Sequence, residues 1–84
     1  MIIFMQRHSV QALGWYGVVA ILASYTLANM GVVSTTNVIY IVLNLTGAIA
    51  IAIEAASKRD RQPLVLNVIW AVVALIALVK VLLP

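Results

Sequence analysis

Two asparagines and a glutamate interrupt otherwise apolar stretches of this chain. Asn44 and Glu54 lie in "IVLNLTGAIAIAIEAASKRDR" (residues 41–61), and Asn67 lies in "PLVLNVIWAVVALIAL" (63–78), three residues before Trp70. A carboxylate inside an apolar helix is a proton or cation site by default. An amide there either hydrogen-bonds neighbouring helices or lines a path for a polar solute. Other chemistry finds few residues. His8 is the single histidine and stands in the N-terminal segment, and the chain has no cysteine. A histidine–thiolate metal site, a thiol nucleophile and a Ser–His–acid arrangement therefore lack their parts. No glycine-rich phosphate loop is present. The chain is expected not to be an enzyme and to need no cofactor or metal.

The elements that position these residues follow from composition. Of 84 residues, 65% are hydrophobic and 8% charged, against roughly 25% charged in soluble domains. So few charges cannot cover the large surface of a small soluble fold, and the chain is expected to be integral to a membrane. From Ser9 to Ile53 there is no charged residue over 45 positions. One membrane helix needs about 20, so this run holds two spans and a turn. Gly31 suits the end of the first helix and Ser34, Thr35 and Thr36 offer caps for the second. Pro63 suits the first turn of a third helix, where its missing N–H costs nothing. The expected fold is an all-α membrane protein, one three-transmembrane-helix bundle over residues 1–84, with helices at about 10–29, 36–57 and 63–82. The first helix is expected to be retained rather than cleaved, since its apolar run exceeds a signal peptide's usual 7–15 residues.

Basic residues set the orientation. Arg7 precedes helix 1, and Lys58, Arg59 and Arg61 cluster between helices 2 and 3. Both places are expected on the cytoplasmic side, and the uncharged turn near 30–35 and the C-terminus outside. Lys80 can snorkel to the outer headgroups. The net charge of +3 therefore reads as topology, with the bilayer rather than nucleic acid as partner.

With the helices placed, Asn37, Tyr40, Asn44, Gly47, Ile51, Glu54 and Lys58 fall on one stripe of helix 2. Such a stripe faces protein or water, because an unpaired amide in hydrocarbon costs several kcal/mol. Helix 3 matches it with Asn67, Ala71, Ala74 and Ala77, beside Trp70. Helix 1 offers Ala20, Ser24 and Ala28, and helix 2 also carries Ala48, Ala52 and Ala56, small residues that let helices approach closely. Glu54 lies within a turn of the cytoplasmic interface, four residues before Lys58, the favourable order for a helical ion pair. An interfacial charge pair, Glu54 with Lys58, is thus the simpler reading, and a proton-coupling acid the alternative. Asn44 and Asn67 read first as interhelical bonding, and second as the lining of a solute path. They count about 12 Å and 6 Å into their helices from opposite membrane faces, so each is expected to pair with backbone, a hydroxyl or another protomer rather than with the other. Trp15, Tyr16, Tyr40 and Trp70 read as belt or packing residues.

The order "SYTLANMG" (24–31), "NLTGA" (44–48) and "QPLVLNVIWAVVALIAL" (62–78) resembles a family of small three-span bacterial inner-membrane proteins of unknown function. The resemblance covers about residues 12–79 and rests on Tyr25, Asn44, Gly47, Pro63, Asn67 and Trp70. More loosely, the chain is similar to the SemiSWEET half transporters, three-helix units that act as homodimers. That similarity implies a substrate contact at Asn67, while "LANMG" replaces the Pro-Gln pair that those proteins carry at the end of helix 1. The candidate interhelical or solute-path residues are Tyr25, Asn44, Gly47, Asn67 and Trp70. Short loops around three spans leave helix faces open to lipid, so association with itself or with a larger membrane-protein complex is expected. The function expected first is a non-enzymatic interaction module or accessory subunit. The alternative is a homodimeric carrier of a small polar solute.

Overall fold

The computed structural model describes residues 2–83, with side chains from Ser9 onward; Arg7 and His8 lie outside the described side chains, and Pro84 outside the described residues. Three helices follow one another: α1 (Ile2–Asn29), α2 (Val38–Ser57) and α3 (Arg61–Leu82). Each is long and apolar enough to cross a membrane, over Ser9–Asn29, Val38–Ser57 and Arg61–Leu82. No strand occurs among the described residues. The fold is the all-α, three-span bundle expected from the apolar runs.

The ends correct the sequence expectations in three places. Helix 1 starts at Ile2 rather than near residue 10, since "MIIFM" is apolar and has no helix breaker to stop the turn from propagating backward. The cap of α2 is Asn37, whose side-chain oxygen accepts from Ile39 N–H at 2.8 Å. The expected capping hydroxyls organise the turn instead, with Ser34 Oγ accepting from Thr36 N–H at 3.1 Å. Helix α3 opens at Arg61, so Pro63 is its third residue, still inside the first turn where no N–H is required.

Gly31 takes the place expected of it. Its φ is +78°, and it ends α1 by donating N–H to Ala28 C=O at 3.1 Å while Val32 donates to Leu27 C=O at 2.9 Å. Those paired bonds satisfy carbonyls that the helix end leaves open.

Helix α2 is the middle element. It packs against α1 on one flank and α3 on the other, and α1 and α3 do not pack against each other among the described residues. The buried core is correspondingly thin and made of small side chains: Ala20, Ala48, Ala50, Ala55 and Ala74 with Ile41. Small residues replace bulky ones because, in lipid, close backbone approach rather than burial from water drives helix association. Within α3 only Asn67 and Ala74 are buried, and the rest of that helix turns valine, leucine and isoleucine outward.

Candidate functional site: the Asn44 junction

Asn44 is where the three helices meet. Its amide nitrogen donates to Ser24 Oγ of α1 at 2.8 Å and to the Tyr40 carbonyl of its own helix at 2.9 Å. Its amide oxygen accepts from the Trp70 indole N–H of α3 at 3.2 Å. Ser24 is fully buried and spends its own proton on the Ile21 carbonyl at 3.0 Å, which leaves its oxygen free to accept from Asn44. Three of the four hydrogen-bonding positions of the Asn44 amide are thereby filled, and each seam of the bundle receives one side-chain bond from it.

Below Asn44 the α1–α2 seam is closed by glycines. A methyl group added at Gly17 would stand 2.5 Å from the Gly47 carbonyl oxygen and 2.6 Å from Ile51 Cγ1. One added at Gly47 would stand 2.9 Å from Ile21 Cγ1 and 3.1 Å from the Gly17 carbonyl oxygen. The backbones can meet here only because neither residue has a side chain. One turn further, Gly14 leaves the room into which the Glu54 carboxylate folds. Glu54 also pairs with Lys58 at 3.5 Å, the partner exposed and the glutamate half-buried. Thus Glu54 belongs to the α1–α2 seam as well as to the ion pair. A further tie lies off the stripe. Thr46 donates its hydroxyl to the Val42 carbonyl at 2.8 Å, so the Tyr16 hydroxyl, 2.6 Å away, is the donor to Thr46.

Asn67 is buried but does not meet Asn44. Its amide donates to the Pro63 carbonyl at 2.8 Å, within its own helix. Proline has no N–H, but its carbonyl is an ordinary acceptor. Tyr25 stands apart from the junction, 61% exposed on the outer side of α1. Ala56, expected in a small-residue contact row with Ala48 and Ala52, is exposed, and Ala55 beside it is the buried residue at this level of α2.

Gly14, Gly17 and Thr46 are not among the candidates that the sequence offers, and Tyr16 is there only as a belt or packing residue. The glycines carry a signal: Gly17 and Gly14 continue the Ala20–Ser24–Ala28 row toward the N-terminus at steps of three residues, on the face that meets Gly47 and Glu54.

Between α2 and α3 lies a groove of about 380 Å³, lined by Thr35, Tyr40, Ile41, Asn44, Trp70 and Ala74 among others. Its walls are largely apolar, and Asn44 and Trp70 at its side are already bonded to each other. Among the described residues no three of His, Cys, Asp and Glu gather as a metal site would require.

Three apolar helices held by small residues and by a shared amide define a small polytopic protein built for a bilayer. More particularly, the chain belongs to a family of unknown function whose model matches residues 10–84. Neither a curated protein nor a solved structure matches the chain.

Proposed function

We propose that the chain is a non-enzymatic interaction module or accessory subunit of a membrane assembly. The observation that carries this reading is the bonding of Asn44, whose two amide hydrogens go to Ser24 and Tyr40 and whose oxygen accepts from Trp70, so that three of its four positions are filled. A solute site needs unspent polar groups facing a path, and the buried amide of Asn44 holds helices together instead. Asn67 places one amide N–H on the Pro63 carbonyl of its own helix. What the molecule offers outward is an apolar helix, α3, with little of its surface covered from within. Its setting in this reading is a bacterial cytoplasmic membrane. The N-terminus and the 58–62 loop face the cytoplasm and the C-terminus faces outside, following the basic residues.

A second reading is a homodimeric carrier of a small polar solute, in keeping with the looser SemiSWEET resemblance. The groove beside Tyr40, Asn44 and Trp70 favours it, since a second copy could close that groove into a path. Purification in mild detergent followed by native mass determination separates the two. A larger assembly of defined composition supports the accessory subunit, and a closed dimer of this chain alone supports the carrier.

A further inference from the structure

The link between α2 and α3 is three residues long and lies inside the densest cluster of positive charge in the chain. Lys58, Arg59 and Arg61 occupy three of four consecutive positions and are all exposed. Among the described residues the ion pair is Glu54 with Lys58, so Arg59 and Arg61 have no carboxylate partner although Asp60 stands between them.

The backbone of this link repeats the end of α1. Arg59 N–H donates to Ala56 C=O at 3.1 Å and Asp60 N–H to Ala55 C=O at 2.9 Å, as Gly31 and Val32 do to Ala28 and Leu27. Both turns need a left-handed residue at the same position. At the end of α1 it is Gly31, with φ +78°, and at the end of α2 it is Arg59, with φ +55°. Glycine reaches that region without penalty, whereas a side chain crowds the carbonyl there. Arginine therefore stands where local sterics favour glycine, and a residue held in such a conformation invites a functional explanation. The apolar spans stop at Ser57 and restart at Arg61, which puts the guanidinium groups at headgroup level, where long basic side chains extend to phosphate.

We propose that the Lys58–Arg61 turn is a docking site for anionic phospholipid headgroups, and that Arg59 holds the left-handed position for the sake of its guanidinium. Charge complementarity selects the occupant: two unpaired guanidiniums two positions apart suit a phosphodiester, which arginine grips with paired N–H donors. The tight turn fixes both cations relative to the helix ends and so limits the ordering that binding requires. This site is independent of the function proposed above and of which side of the membrane the turn faces.

The test uses the full-length protein in nanodiscs of phosphatidylcholine, alone or mixed with phosphatidylglycerol. Its readouts are the thermal unfolding midpoint and the lipids retained in native mass spectra. Wild type should be stabilised by phosphatidylglycerol, less so as salt rises, and should retain it in preference to phosphatidylcholine. Arg59→Gly should raise the midpoint in phosphatidylcholine, because the strain is relieved. The same change should weaken the preference for phosphatidylglycerol about fivefold, the equivalent of about 1 kcal/mol for one basic residue at the surface. Arg59→Lys keeps the charge but not the paired N–H donors, and should lose part of that preference, less than Arg59→Gly loses. The proposal is overturned if wild type does not distinguish the two lipids, in which case the cations only orient the chain. It is equally overturned if Arg59→Gly retains phosphatidylglycerol as wild type does.

Discussion

Trp70 donates its indole N–H to the amide oxygen of Asn44 at 3.2 Å, joining α3 to α2 deep inside the apolar span. The same amide joins α2 to α1 through Ser24. Because α1 and α3 do not pack on each other, this one side chain is the shortest polar link between the two outer helices. In a bilayer no water replaces a lost partner at this depth, so removing the amide leaves the Trp70 donor with nothing to bond.

Asn44→Leu should therefore cost more than either partner's loss. An interhelical side-chain bond in a membrane averages about 0.6 kcal/mol, with a maximum near ~1.7. Two such bonds and an orphaned donor give about 1–3 kcal/mol, and Ser24→Ala or Trp70→Phe should each fall near the single-bond value. Unfolding titrations in mixed micelles measure all three. Double-mutant cycles should show coupling of Asn44 to both partners. An Asn44→Leu protein as stable as wild type would remove the junction from the account.

The glycine seam predicts a graded series. Gly17→Ala drives a methyl group into the Gly47 carbonyl and Ile51, so the helices must separate, at about 1–3 kcal/mol for overpacking. Gly31→Ala meets no neighbouring atom and strains only its own left-handed backbone, at about 1 kcal/mol. Crosslinking between cysteines introduced on α1 and α2 should weaken in the first variant and persist in the second. Equal crosslinking in both would mean that the α1–α2 backbones do not meet at Gly17.

Glu54 supplies a third expectation. Glu54→Gln should alter stability by only a few tenths of a kcal/mol, the scale of a partly exposed helical pair. Gly14→Ala should be milder than Gly17→Ala, because the atoms in its way are the mobile end of the Glu54 side chain rather than backbone. Micelle unfolding distinguishes these cases. If Glu54→Gln instead abolished a proton-dependent activity while leaving the midpoint unchanged, Glu54 would be a proton site.

The three spans and the Gly31 turn were legible because length without charge and a single glycine carry them. The polar stripe of helix 2 was legible too, since Asn44, Gly47 and Glu54 share a face at helical spacing, and that face meets α1. Which helix lies in the middle was not. Hydropathy ranks α3 as readily insertable as α2 and says nothing about neighbours, and only side-chain geometry shows that α2 has two packed flanks. Gly17 went unnoticed because a glycine's role depends on what stands opposite it. The left-handed Arg59 was hidden for the converse reason, as sequence rules look for glycine at that position.

Topology gives a fourth expectation. Reporter fusions should place residues 58–62 on the cytoplasmic side and the C-terminus outside, following Lys58, Arg59 and Arg61. A cytoplasmic C-terminus would mean that Lys80 outweighs the cluster or that α1 does not remain in the chain.

The central claim is that the Asn44 amide holds helices together rather than lining a path. Measuring oligomer mass and small-solute flux on the same reconstituted vesicles, for wild type, Asn44→Leu and Asn67→Leu, tests it most directly, with a panel of simple sugars and amino acids as solutes. The account predicts no flux above empty vesicles for wild type or for either variant, because the Asn44 bonds join helices of one chain and the Asn67 amide bonds within its own helix. Wild-type flux that either substitution abolishes while the assembly keeps its mass would contradict the account and make the chain a carrier.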